Sequence, residues 1–386
     1  MMHGLMINSY STQKYTEVHK FIKVHRSTQA NMSAQESNPF SITFGKEPRE
    51  EINRDNILEE IIEDFTAETP SQQAVLLTGV RGSGKSSLTA KLMKTLGKRT
   101  DWLVTDLIVE GDMLNSLGGK LCELPGCRKL FNEAEISLSV FGAGIKISKT
   151  ENEANIEAVL DKMLRTLSHR KKRVLITIDD VASTKEMRIF SHFFQSCIMK
   201  DYSLYLIMNG VYDNIDGLQN EKTLTFLQRA PKISLTPLNK TAVANMYARI
   251  FDYSDATIRK MATLTEGYPY AVQALGYTVW KYCRSEKEVD FDSVIPRLDL
   301  LLADGVYDKL WIDMSETDRQ ICFLIAEGDA GGSSIASVIE KAGISKSLAS
   351  NYKKRLVKKG IVEDVRGRFM FSLPRFDWYV REQLEI

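Results

Sequence analysis

The residues best suited to chemistry lie at Gly79-Val-Arg-Gly-Ser-Gly-Lys-Ser86, which satisfies the spacing G-x-x-x-x-G-K-[ST]. Gly79, Gly82 and Gly84 allow a backbone curl whose N–H groups converge on an anion, and Val80, Arg81 and Ser83 complete the loop. A helix starting after the curl would add its positive N-terminal end. Lys85 is placed to reach the β and γ phosphates of a nucleotide. Ser86 would offer a hydroxyl to Mg²⁺, and Ser87 continues the helix N-terminus. A second cluster, Asp179-Asp180, ends the apolar run Val174-Leu-Ile-Thr-Ile178. Asp179 is read as the metal-side carboxylate and Asp180 as an acid able to polarise attacking water. Asn209 ends another apolar run, where it could orient water or contact the γ-phosphate, or simply cap a turn with Gly210. Arg229 lies just before the expected strand at 233–235. It could reach phosphate in cis, act in trans as an arginine finger, or be an ordinary surface arginine.

These groups need strands that end at one edge of a sheet, and the pattern supplies them. Residues 74–78 read as a short buried strand and 102–108, 174–178, 204–208 and 233–235 as further strands, with helical periods between them such as 155–167 and 187–197. Strands alternating with helices imply a parallel sheet covered on both faces. The stretch 136–148, with Gly142 and Gly144 between β-prone runs, reads as an inserted hairpin. Beyond 235 come helices alone, at 240–251, 256–265, 269–283 and 292–304. A third unit begins at about Trp311: three short helical runs, then a hairpin-like stretch ending at Phe371. The expected division is a flexible leader at 1–37, an α/β core at 38–236, a helical lid at 237–308 and a winged helix at 309–386. Met32 is an alternative start to Met1.

Composition narrows the classes. The 386 residues are 43% hydrophobic and 26% charged, ample for two or three packed domains. Fifty-one basic against fifty acidic residues leave a net charge of +1, so any nucleic-acid surface must be local. Five scattered cysteines without CxxC pairs fit a reducing compartment, hence a cytoplasmic protein. No apolar run approaches the roughly 18 residues of a membrane span. A metal cluster of His3, His19 and His25 finds no support in their spacing.

Together these motifs resemble the AAA+/STAND group of P-loop ATPases, in its archaeal-type, origin-recognition-like branch, over roughly residues 38 to 386. The resemblance implies ATP or ADP with Mg²⁺ as ligands and a slowly hydrolysing switch. Asn38-Pro-Phe-Ser-Ile-Thr-Phe-Gly45 and Ile52-Asn-Arg-Asp55 are similar to the segment that passes near the adenine, with Arg54 kept and Asn53 in place of a glycine. Ile178-Asp-Asp-Val181 is similar to the Asp-Asp form of STAND switches. Gly267-Tyr-Pro269 is similar to the G-x-P element of their lids, which packs on the base or ribose. Tyr268, Pro269 and Tyr270 stand where initiators carry a phosphate-sensing arginine.

The last unit resembles a winged helix whose recognition helix would span 345–359. Lys346, Lys353, Lys354, Arg355 and Lys358, with Arg366 and Arg368 on the wing, suit duplex DNA. The same domain serves as an intramolecular latch in STAND proteins, so both outputs stay open. Nucleotide-dependent homo-oligomerisation or an unidentified protein partner is the alternative output.

Overall fold

The computed structural model describes residues 37–43, 49–50, 52, 54–141, 149–221, 224–328 and 332–384. Residues 1–36 of the leader, with its histidines and the alternative start Met32, and Asn53 lie outside them.

Five parallel strands form the core sheet: β1 (Ala74–Thr78), β2 (Trp102–Leu107), β3 (Arg173–Ile178), β4 (Leu204–Gly210) and β5 (Lys232–Ser234), in the order β2-β3-β4-β1-β5. Every residue of β1 and β4 is buried, which suits strands flanked on both sides and covered on both faces. The two faces obey the period of two. Ala74, Leu76, Ile176, Leu206 and Met208 point into one apolar cluster, while Val75, Leu77, Leu175, Tyr205 and Ile207 point into the other. Because β1 pairs with β4, Thr78 lies beside Gly210 and Leu77 beside Asn209, so the strand ends that carry polar groups share one edge.

Residues 136–141, the described part of the expected hairpin, form no strand. Ser139–Phe141 is a short 3₁₀ turn, and the Phe141 ring lies where a Cβ on Gly118 would stand. Leu138, Val140 and Phe141 pack on the core as a cap rather than pairing as a strand. Residues 142–148 lie outside the described set, and a helix then runs over Lys149–His169.

The helices after the sheet are α9 (Lys240–Ile250), α10 (Asp255–Leu264), α11 (Pro269–Tyr282) and α12 (Phe291–Leu302), numbered in chain order after the core helices. Phe40, from the segment before the core, fills their centre beside Tyr247 and Phe251 and over Gly276. Helix α12 does not stop where its sequence period ends. It passes through a π-helical turn, Ala303–Tyr307, into α13 (Asp308–Asp313), so a boundary at 308/309 falls inside one helical run.

Three further helices, α14 (Glu316–Ala326), α15 (Ile335–Ala342) and α16 (Lys346–Lys358), accompany an antiparallel sheet of β6 (Ser333–Ser334), β8 (Arg368–Phe371) and β7 (Val362–Val365), with α17 (Phe376–Glu382) last. This unit shares one apolar cluster with the preceding helices, from Phe40 to Val380. Polar contacts reinforce it: Tyr307 donates to the Pro374 carbonyl at 2.5 Å, and Arg375 grips the buried Asp299 through two 2.8 Å bonds.

Candidate nucleotide site

The site grows from the turn between β1 and the helix α2 (Lys85–Leu96). Gly82 and Gly84 take φ of 73° and 90°, which only glycine adopts without strain. Gly84 is the N-cap of α2, so the helix opens with N–H groups that no capping side chain occupies. They face a cavity of about 420 Å³, within the range of small-ligand sites. Its floor is Gly82, Gly84, Lys85, Ser86 and Ser87, and Asp179 and Arg54 stand at its walls. Its roof belongs to the helical unit, through Leu238, Pro269, Tyr270 and Gln273.

The Lys85 ammonium donates to the carbonyls of Gly79 and Val80, each at 2.9 Å. Burial pushes its pKa down to about 8, with the nearby Asp179 charge pulling the other way. Ser86 donates to an Asp179 oxygen at 2.5 Å, so a hydroxyl and a carboxylate lie side by side at the cavity edge. That pair fits a hard cation such as Mg²⁺, which takes one or two protein oxygens and completes its shell with phosphate and water. Arg54 donates to the carbonyls of Ser83 and Thr236, tying the approach segment to the loop at 3.3 and 2.6 Å. Ser83 is itself buried, and its hydroxyl has no partner within the protein.

Several assignments made from sequence need correction. Asn209 is 1% exposed and does not line the cavity; its amide exchanges hydrogen bonds with Thr89 at 2.8 and 3.1 Å. It braces α2 against β4 instead of presenting a polar group to phosphate. Arg229, at the C-terminal end of α8 (Thr225–Arg229), is exposed and absent from the cavity wall, which removes the in-cis role. Arg81 also turns away from the cavity, toward Asp180 at 3.4 Å and Asp313 at 3.8 Å. Asp180 lies outside the wall that Asp179 joins.

Gly267 shapes the site indirectly. Its φ is 73°, a Cβ there would overlap the Leu238 carbonyl, and its own carbonyl accepts from Leu238 N–H at 2.7 Å. Gly267→Ala is expected to cost about 1–3 kcal/mol through backbone strain and to weaken ligand binding by shifting Leu238. Urea denaturation beside a nucleotide titration checks both effects.

The basic helix α16 also departs from its sequence reading. Arg355 bonds the fully buried Asp318 of α14, Lys353 pairs with Asp364, and Lys358 lies over the Tyr212 ring at 5.6 Å. Arg368 donates to the Gly332 carbonyl. Lys353, Arg355 and Arg368 therefore serve the protein's own packing, whereas Lys346, Lys354, Lys358 and Arg366 are exposed, Lys358 while keeping its contact with Tyr212. Lys359 bridges Asp318 and Asp213, the latter at 2.7 Å on the core helix α7 (Tyr212–Gln219).

Residues missed from the sequence include Gln273, Tyr270 and Tyr268. Gln273 accepts from Ser41 N–H and donates to the Glu50 carbonyl, pinning the approach segment at the cavity. The Tyr268 hydroxyl donates to the Arg81 carbonyl, and Tyr270 N–H donates to the Gly82 carbonyl at 3.1 Å. A signal existed: 269, 272 and 273 fall on one helix face, so Pro269 as a wall residue brings Gln273 with it.

A family model described as AAA ATPase domain matches residues 52–195, and a model for a domain of unknown function matches 304–380. The chain is 23% identical over 172 residues to a nucleoside-triphosphatase of Aquifex aeolicus, covering 44% of this chain and 93% of that one. Among solved structures it resembles a Walker-type ATPase of Pyrococcus abyssi, with TM-score 0.58 and 16% identity over 87% of this chain and 98% of the other. It also resembles the Aeropyrum pernix ORC2 protein in ADPNP–ADP complexes, with TM-score 0.56 and 11% identity over 89% and 98%. At these identities the two structures speak to the fold, while the motif geometry and the family match over 52–195 speak to the chemistry. Residues 52–195 match the AAA ATPase domain and carry its P-loop, and the chain shares its fold with the Walker-type ATPase and the ORC2 protein.

Proposed function

We propose that the protein is an ATP-binding switch of low turnover whose last unit, a winged helix, latches against the nucleotide domain. The observation that carries this reading is the shared cavity: the P-loop forms its floor and the helical lid its roof, so one bound nucleotide would touch both. Lys85 and the α2 N-terminus hold the phosphates. Ser86 and Asp179 would hold Mg²⁺, which would supply charge neutralisation at the phosphates. Asp180 is the acid available to orient water. Adenine in the far part of the cavity, against Leu238 and Val272, is supported by the apolar character of that wall.

The latch is favoured over duplex binding by the contacts of α16. Its C-terminal end touches Tyr212 and Asp213 of the core through Lys358 and Lys359, so a groove could meet those groups only after release. An oligomer remains within the same reading, because an exposed Arg229 could reach a neighbour's nucleotide. Buried thiols at all five cysteines support a cytoplasmic setting. Among the described residues no helix is long and apolar enough to cross a membrane.

Calorimetry with ADP and with a non-hydrolysable ATP analogue tests the site, with and without Mg²⁺. Asp179→Asn is expected to remove most of the gain in affinity that Mg²⁺ brings while leaving metal-free ADP binding intact. Equal gains in both proteins would displace the metal from this carboxylate. Light scattering of the same samples, with and without duplex DNA, separates latch release from assembly.

A further inference from the structure

Arg81 sits in the middle of the phosphate loop, yet its side chain leaves the nucleotide cavity. Its guanidinium lies between two carboxylates from different parts of the fold: Asp180 at the end of β3, at 3.4 Å, and Asp313 at the end of α13, at 3.8 Å. The Arg81 Nε is buried and has no hydrogen-bond partner, and its nearest acid is the Asp313 oxygen. The bridge is therefore one small movement from closing. Backbone contacts hold the arginine in place, since the Tyr268 hydroxyl donates to its carbonyl and Val80 packs beside Gly360 of the last unit. Asp180 has φ of 50°, an uncommon conformation for an aspartate, and so stands in a strained turn directly after the metal-side Asp179.

We propose that Arg81 is a positioning residue: it draws the Asp180 carboxylate away from the nucleotide cavity and ties its release to the position of α13. This rests on the reading of Asp180 as the water-orienting acid. Asp313 is the handle. It ends the helical run that begins in the lid at α12, and the cleft around it is lined by Val80, Arg81, Tyr212 and Lys359, so loosening the last unit moves Asp313 and frees Arg81. Lys309, one turn earlier, competes for Asp313 at 2.9 Å. Both carboxylates are half-exposed, so the bridge is weak enough to open and close.

Asp313→Asn removes the far end of the bridge without touching the cavity. Single-turnover hydrolysis by the full chain is expected to change by about two- to fivefold, the upper factor equal to about 1 kcal/mol, with nucleotide affinity unaltered. The direction is a rise, because Arg81, no longer anchored at Asp313, can follow Asp180 toward the cavity instead of holding it out. Asp313→Glu should return the rate to the parent value, and Lys309→Met, which leaves Asp313 to Arg81 alone, should lower it. An unchanged or reduced rate in Asp313→Asn, with ATP bound as tightly as in the parent, overturns the restraint and leaves the nucleotide site standing. Failure of the parent itself to bind ATP removes the site, and the restraint with it.

Discussion

Replacing Lys85 by alanine is expected to weaken ATP binding by at least about thirtyfold, because truncating one partner of a buried, hydrogen-bonded charge pair costs about 2–5 kcal/mol. Lys85 is 9% exposed and its ammonium bonds two loop carbonyls, so water cannot replace it cheaply. Calorimetry with Mg²⁺ present measures the loss, and circular dichroism establishes that the variant folds. The fold should survive, since the side chain's two partners are loop carbonyls rather than a charged network. Parent-like affinity in Lys85→Ala would place the phosphates somewhere other than this loop.

Asp318→Ala should have the largest effect on stability, about 3 kcal/mol by chemical denaturation, at the lower end of what removing one partner of a buried ion pair costs. Its carboxylate is completely buried and accepts from Arg355 through two contacts, at 3.1 and 2.5 Å, and from Lys359 at 3.3 Å. Arg355 is partly exposed, so part of the stranded charge would find water, which sets the figure at the lower end. The same change should loosen the last unit from the core, because Lys359 also holds Asp213. A loss under about 1 kcal/mol would mean that the network adds nothing beyond the surrounding apolar packing.

These two residues mark the limits of sequence reading. Lys85 was legible because its chemistry is local: six residues of loop and one helix turn define the anion cradle, and the spacing alone states it. Asp318 carried no signal, since its partners Arg355 and Lys359 lie 37 and 41 positions away. The basic run of α16 accordingly looked like a nucleic-acid face, although Lys353, Arg355 and the following Lys359 are paired with acids from other elements. Asn209 failed for the same reason, because Thr89, which takes up its amide, is 120 residues earlier. The inner strands β1, β3 and β4 survived because burial on both faces imposes continuous apolar runs, a pattern that needs no knowledge of neighbours, whereas the edge strand β5 is largely exposed.

By itself, then, the sequence determined the P-loop, the parallel sheet that presents it and the helical character of the chain beyond that sheet. These depend on backbone preferences and apolar periods within a few residues. Only the tertiary structure decided that Arg81 faces two acids rather than a phosphate, that Gln273 and Tyr270 roof the cavity, and that the lid and the last unit share one core. Such outcomes turn on which charges and which apolar faces meet across long chain separations, and a charged side chain takes whichever partner the packing brings within reach.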